Sequence, residues 1–143
     1  MDNVNETVRK AAFSFKDYKF VRAEINFSLA SQGEEFDCAF TPSGTYFPES
    51  GIYMTKLIFE AKSPTNGEPI VRVECDATFE FGEPLPFENL PNYFFANSSA
   101  IIYPYIRAFI STLTLQANYP PFVLPTLNVS SLGKELRNNT NLG

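Results

Sequence analysis

The carboxylates are the side chains most able to carry acid–base chemistry here, because the sequence contains no histidine. Five carboxylates lie in predicted strands, where they alternate with apolar residues: Glu24, Glu60, Glu74, Asp76 and Glu80. Basic residues share the same face of these strands: Arg22, Lys56, Lys62 and Arg72. An exposed sheet face is a poor place to raise a carboxylate pKa, because desolvation is what raises it. We therefore expect a charged, solvated sheet face, no catalytic residue and no enzymatic activity.

Nucleophiles and metal ligands are equally scarce. Without histidine, a Ser-His-Asp or Cys-His arrangement is impossible. The two cysteines, Cys38 and Cys75, stand apart without metal-ligand spacing, and no glycine-rich nucleotide motif occurs. We predict that both thiols are small core side chains in a reducing cytoplasm, and that the protein uses no metal and no cofactor.

Length and charge indicate one globular domain over residues 1–143. A net charge of -5 is unsuited to a phosphate backbone, so we expect no nucleic-acid partner. The start of the chain is acidic and lacks the apolar run of a signal peptide, and no segment reaches membrane-spanning length. These features predict a cytoplasmic protein that does not insert into membranes.

Period-two alternation predicts the strands that carry the charges. The first strand covers residues 15–29, with every second residue from Val21 onward on the core face. A weak second strand covers residues 35–40. Residues 41–51 have loop chemistry, with Pro and Gly on either side of an exposed Tyr46.

Residues 52–63 and 71–81 are the clearest strands, and the Asn-Gly turn between them predicts a hairpin. A helix follows the strands. The expected fold is α+β, with a four-stranded antiparallel sheet packed against a long helix and a short C-terminal helix.

The long helix is predicted over residues 99–118, after a short amphipathic piece at 87–96. Pro104 lies just inside it and predicts a kink or a restart. The helix has a narrow polar stripe and is otherwise apolar, so it must be covered on more than one side. The stripe consists of Arg107, Ser111, Thr114 and Asn118.

After the helix, residues 119–129 form a predicted apolar loop that requires cover. Residues 130–137 are predicted as a short helix, and 138–143 as a frayed end. Several aromatic side chains have no obvious place on one sheet and one helix, which favours a protein-binding surface. They are Tyr46, Phe47, Phe94, Phe95, Tyr119 and Phe122.

The run from Ile102 to Arg107, with the apolar helix and loop that follow as far as Asn128, resembles the protein-export chaperone SecB. The resemblance covers most of the chain in element order but is sequence-specific only in the last third. It implies a dimer of dimers, a homotetramer with the long helices in the interface. Side chains of the apolar arc would fill that interface: Ile102, Ile106, Ile110 and Leu113.

The resemblance further implies a holdase that binds unfolded polypeptides and passes them to SecA. The client groove would lie between the loop joining the first two strands, the long helix and the loop after it. Carried over by position, the groove residues are Phe36, Phe40, Tyr105, Phe109, Tyr119, Phe122 and Leu124. Acidic positions on the sheet face would dock SecA, and here these are Glu24, Glu74 and Asp76.

The sequence departs from that family at Ala108, Ala117 and Pro125, and it has no acidic tail. A second interpretation is therefore a SecB-like chaperone that protects the antitoxin of a toxin–antitoxin system. A third, from another class, is a hot-dog-like protein that binds or hydrolyses acyl thioesters, although the helix lacks a carboxylate between residues 99 and 118. A purely structural oligomerisation domain is the fourth.

Overall fold

A computed structural model of the chain describes residues 12–30, 35–124 and 128–143. The fold is α+β: five strands form one sheet in the order β1-β4-β3-β2-β5. The first four pair antiparallel, and β5 pairs parallel to β2. The strands are β1 (Phe13–Ile25), β2 (Asp37–Phe47), β3 (Ile52–Lys62), β4 (Pro69–Phe81) and β5 (Thr140–Leu142), and the helices are α1 (Asn92–Gln116) and α2 (Gly133–Asn138).

Strands β3 and β4 form the predicted hairpin. Their inner side chains alternate without a break, so that Leu57 lies opposite Cys75 and Phe59 opposite Val73, all of them buried. Gly67 closes the turn with a positive φ of 72°, which a glycine adopts without strain. The prediction that Cys75 is a core side chain is confirmed.

Strand β1 differs from its prediction because two bulges interrupt it, between Phe15 and Asp17 and between Phe20 and Arg22. A bulge adds one residue and changes which side chains face inward. Phe20 therefore lies opposite Cys75, whereas the predicted core residue Val21 is 52% exposed. The strand also ends at Ile25, and a 3-10 turn follows at Phe27–Leu29.

Strand β2 is longer than predicted. Pro42, Gly44 and Tyr46 continue its inner face and are buried, so the loop expected at residues 41–47 and the exposed Tyr46 are both wrong. The loop residue types are accommodated because the strand lies near the sheet edge, where proline is tolerated. Asn139 Nδ2 donates to the carbonyl of Pro42 at 3.0 Å.

The fifth strand was not predicted. Residues 138–143 were expected to be frayed, but 140–142 pair with β2 at residues 44–46. The amide of Gly143 donates to the carbonyl of Tyr46 at 2.8 Å. Tyr53 Oη and Thr140 Oγ1 also form a hydrogen bond beneath this edge.

Helix α1 begins at Asn92, earlier than predicted, and runs through Pro104 as one helix. The proline is exposed, so the backbone bond that it removes lies on the solvent side. Buried side chains of α1 meet the inner sheet face and include Phe94 and Phe95, so the prediction that these two rings belong to a binding surface is wrong. Helix α2 packs on the first half of α1, where Gly133 approaches the backbone of Ala96.

Candidate functional site

The outer face of the sheet carries an ion-pair network centred on Glu74. Arg72 donates to this carboxylate, and Lys56 Nζ lies 3.4 Å from it. Lys56 also donates to Asp76 at 2.7 Å, and Arg22 pairs with Glu24 at 2.7 Å. The hydrogen bond from Arg72 is the main reason why the pKa of Glu74 is lowered.

The three predicted docking carboxylates, Glu24, Glu74 and Asp76, are thus on the outer face as expected, and each already has a cationic partner. A basic partner would have to compete with Arg22, Lys56 or Arg72 for them. A pair as exposed as Arg22 and Glu24 contributes little stability on its own. The main effect of these pairs here is to neutralise the face.

The described residues at the end of the sheet where β1 stops and β2 begins form a continuous chain of aromatic rings, which we call the loop-end cluster. Tyr119 lies 4.4 Å from Phe27, and Phe36 stacks on Phe122 at 5.7 Å between ring centroids. The cluster consists of Phe27, Phe36, Phe40, Phe59, Tyr103, Tyr119 and Phe122.

Phe59 and Tyr103 form the buried floor of this cluster, and Tyr119 is 42% exposed. Phe27, Phe36, Phe40 and Phe122 are half-buried. The cluster is therefore anchored in the core and open to solvent along its rim. Rings in this arrangement can bury an apolar side chain of another polypeptide without repacking the core.

The segment after α1 is held against the helix by side chains of the predicted polar stripe. Thr114, which is buried, accepts a hydrogen bond at Oγ1 from the amide of Phe122 at 2.9 Å. Ser111 Oγ donates to the carbonyl of Phe122 at 3.3 Å. Asn118 turns the chain back with a positive φ of 68°. Two of the four residues of the predicted polar stripe, Ser111 and Thr114, thus hold Phe122 in place.

Two of the predicted groove residues lie elsewhere. Tyr105 and Phe109 project from α1 onto the inner face of β1, where Phe109 stacks on Phe20 at 4.0 Å and Tyr105 lies 4.3 Å from Tyr18. We call these four rings together with Phe15 the edge cluster. Sequence reasoning missed Tyr18 and Phe20 because the bulges in β1 break the alternation that would have revealed them.

Four predicted contact residues have no accessible surface within the chain. Ile102, Ile106 and Ile110 of α1 are fully buried, and so is Leu124 in the segment that follows the helix. The three isoleucines therefore belong to the protomer core, and not to a surface that a second subunit could contact. Leu124 supports the groove segment from beneath, whereas Leu113 remains half-buried.

Cys38 lies at the start of β2, between Phe36 and Phe40 in sequence, and is exposed, so its prediction as a core thiol is wrong. The inner face is not covered by α1 at this position. Burial of part of the side chain, with the charge of Asp37, raises the pKa of the Cys38 thiol. The described residues hold no group of three or more acidic, cysteine or histidine side chains suited to a metal ion.

Two loops that were predicted to bound the groove fall partly outside the described residues. These are residues 31–34, between β1 and β2, and residues 125–127, which include Pro125. The described part of the site is therefore the loop-end cluster and its hydrogen bonds to α1.

A family model for the preprotein translocase subunit SecB matches residues 44–139. The chain belongs to the SecB family. The matched region includes β3, β4, α1 and α2, together with Phe59, Tyr103, Tyr119 and Phe122 of the loop-end cluster. This membership favours the SecB interpretation over the hot-dog-like alternative.

The fold agrees with that of a SecB-like chaperone from Mycobacterium tuberculosis, solved in complex with a ChAD peptide from the HigA1 antitoxin. That structure is 21% identical, has a TM-score of 0.61 and aligns over 81% of this chain and 91% of its own. The four antiparallel strands and the long helix of the SecB prediction are confirmed.

A second relative is an uncharacterised protein from Methanocaldococcus jannaschii, which is 56% identical over 36 residues. The match covers 25% of this chain and 23% of that protein. The chain thus spans less than a quarter of the length of this relative. No helix among the described residues of this SecB-family chain is long and apolar enough to cross a membrane.

Proposed function

We propose that this SecB-family protein is a non-enzymatic chaperone that binds unfolded polypeptides at the loop-end cluster. The observation that carries the proposal is the open rim of Phe27, Phe36, Tyr119 and Phe122, held in place by the hydrogen bond between Thr114 and the amide of Phe122. Apolar rings that cluster at the surface of a folded protein mark an interaction site.

The energetics suit a promiscuous client site. Each aromatic contact contributes about 0.5–1.5 kcal/mol beyond the burial of apolar area, and burial itself is non-directional. Several weak contacts along one extended client therefore add up to useful affinity without sequence specificity. The exposed rings of the edge cluster, Tyr18 and Tyr105, offer a second set of such contacts.

The direct test is suppression of aggregation. A reduced, unfolded substrate protein is diluted into buffer with a stoichiometric amount of this protein, and light scattering is followed over time. We expect scattering to be largely suppressed. Full aggregation in the presence of an equimolar oligomer would refute the proposed activity.

Two client classes fit the site, an exported preprotein passed to SecA and the antitoxin of a toxin–antitoxin system. The paired state of Glu24, Glu74 and Asp76 favours the antitoxin alternative, because the carboxylates available to a SecA-type partner are already neutralised. The antitoxin peptide bound to the M. tuberculosis SecB-like chaperone points the same way. Binding of purified SecA at physiological salt, measured by light scattering or calorimetry, would instead support export.

We further propose that the protein is a cytoplasmic homotetramer. Because Ile102, Ile106 and Ile110 are core residues, the proposed contact between subunits lies on the exposed side of α1. That side has short side chains at Ala100, Pro104, Ala108 and Thr112, with Tyr105 and Leu115 beside them. Short side chains let two helices approach closely. Native mass spectrometry of Ala108→Arg should show loss of the tetramer, and an unchanged tetramer would place the interface elsewhere.

A further inference from the structure

At the end of the sheet opposite the loop-end cluster, a cleft lies beside the last strand. β2 is 11 residues long, so about 35 Å separate its two ends. The cleft has a volume of about 440 Å³, and its apolar walls come from the turn after β2, the segment after β4 and the side chain of Leu142 in β5. Pro84, Leu85, Pro86 and Phe87 form the longer wall.

The wall is fixed to the core before any ligand arrives. Tyr46, fully buried, donates from its hydroxyl to the carbonyl of Leu85 at 2.6 Å, and the amide of Leu85 lies 3.3 Å from the same hydroxyl. Phe87 is covered on one side by the guanidinium of Arg137, 5.7 Å from the ring centroid. A wall with this much support does not need to reorganise on binding.

The strand beside the cleft has an unpaired edge. In the parallel ladder with β2, the carbonyl of Asn139 accepts from Gly44 and the amide of Gly143 donates to Tyr46. Backbone groups alternate in direction along a strand, so the peptide groups of Leu142 face away from β2. β5 is the last strand in the order of the described sheet. Leu142 is also 63% exposed.

Two carboxylates, Glu49 and Glu88, line the cleft, and its described lining contains no lysine or arginine. Neither forms an ion pair with another described residue, which distinguishes them from the neutralised carboxylates of the outer sheet face. The cleft therefore combines apolar walls with two carboxylates that form no ion pair among the described residues, while the nearby cation of Arg137 is engaged with the rings of Phe87 and Phe95 and with Asn92. Such a combination attracts an apolar side chain followed or preceded by a basic one.

We propose that this cleft and the outer edge of β5 form a second polypeptide site, distinct from the loop-end cluster. Its occupant is an extended segment that pairs with the backbone of Leu142, places an apolar side chain against Pro84 and Phe87, and sets a lysine or arginine against Glu49 and Glu88. Main-chain pairing supplies affinity in strand addition, and side-chain pockets supply specificity. The proposal goes beyond client holding and stands even if the loop-end cluster binds nothing.

The test uses the full-length protein and two labelled ten-residue peptides in which valine alternates with lysine or, as a control, with glutamate. Side-chain methyl signals of Leu85 and Leu142 are followed by NMR, with Val123 as a reporter for the loop-end region. The lysine peptide should shift Leu85 and Leu142 whether or not it also shifts Val123, which reports the proposed client site, whereas at least about tenfold more of the glutamate peptide should be needed to shift Leu85 and Leu142. Shifts at Val123 alone, or none at all, would overturn the proposal.

Two variants separate the contributions. Glu49→Gln with Glu88→Gln should weaken the lysine peptide about three- to tenfold, while Glu68→Gln, an exposed carboxylate in the β3–β4 turn, should have no effect. If the Glu68 control lost as much affinity as the Glu49 and Glu88 variant, the effect would come from the net charge of the protein, and the site would be refuted.

Leu142→Pro removes an amide that β2 does not use and should abolish peptide binding, whereas Leu142→Ala should retain part of it. Melting temperature checks that both variants fold, and equal affinity of the proline and alanine variants would exclude strand addition.

Discussion

The amide of Phe122 donates to Thr114 Oγ1 at 2.9 Å, and this bond ties the segment after α1 to the helix itself. Pro120 and Pro121 precede Phe122 and have no amide hydrogens, so Phe122 is the first residue after them that can be held through a backbone donor. Thr114 also donates to the carbonyl of Ile110 at 3.0 Å, which orients its hydroxyl. One buried threonine therefore positions a ring of the proposed client site.

Thr114→Val keeps the shape of the side chain and removes the acceptor. We expect a loss of about 1 kcal/mol in the free energy of unfolding, because the amide of Phe122 loses its partner. Affinity for an unfolded client should fall several-fold as the ring becomes less ordered. Urea unfolding and client titration measure the two effects. Thr78→Val, the same change on the outer face of β4 and away from the proposed subunit contact, is the control, and equal client affinity for both variants would contradict the role of Thr114.

The contact between the two helices depends on the absence of a side chain at Gly133. A Cβ there would lie 2.9 Å from both the Cα and the amide nitrogen of Ala96. We expect Gly133→Ala to lower the free energy of unfolding by about 1–3 kcal/mol, because the crowding atoms belong to a helix backbone that cannot move aside. Gly82→Ala is the matched control, since its Cβ would be 3.8 Å from the nearest atom. A neutral Gly133→Ala would mean that α2 packs differently.

The two thiols should differ in reactivity. Burial raises the pKa of Cys75 from 9.0 to about 11, which alone lowers its thiolate fraction about a hundredfold, and its side chain has no exposed surface. Iodoacetamide at pH 8 should therefore modify Cys38 and spare Cys75, as read by mass spectrometry.

An unfolded client should slow the labelling of Cys38, because that thiol lies at the start of β2, between Phe36 and Phe40 of the loop-end cluster in sequence. Unchanged labelling at saturating client would place the client elsewhere. Labelling of Cys75 in the native protein would contradict the packing of β4.

Stability should fall at alkaline pH through Cys75 and Tyr53. Burial raises the pKa of Tyr53 to about 12 and that of Cys75 to about 11, so the folded chain keeps protons that the unfolded chain releases. Their contributions are complete below about pH 9 and are lost as the pH rises toward these values. Cys75→Ala should flatten the decline in melting temperature between pH 9 and 11. A decline identical to that of the parent protein would show that Cys75 does not couple to unfolding.

Much of the architecture follows from sequence pattern alone. The hairpin of β3 and β4 is fully buried on one face, so its alternation is unbroken and predicts both strands and their inner residues. The family was recognisable from the run around Pro104, where residue types and spacing are specific.

The errors arise where tertiary contacts override local pattern. Pro42 and Gly44 are typical of loops, yet pairing of β5 with β2 extends the strand through them. The bulges in β1 shift Phe20 inward, which no period-two count detects. The apolar excess of α1 was assigned to a subunit interface, but Ile102, Ile106 and Ile110 are buried by the sheet of the same chain. The loop-end cluster was only partly predictable, because Phe27 lies in a 3-10 turn that was interpreted as strand.

The most direct test of the central claim is the dissociation constant of a permanently unfolded, reduced and carboxymethylated protein, measured by fluorescence anisotropy. Phe36→Ala with Phe122→Ala should weaken binding about tenfold or more, because two stacked rings of the rim are lost. Met54→Ala, an exposed apolar residue on the outer sheet face, should leave binding unchanged. Melting temperature and native mass confirm that both variants fold and assemble. If the folded double variant bound the client as tightly as the parent protein, the loop-end cluster would not be the client site.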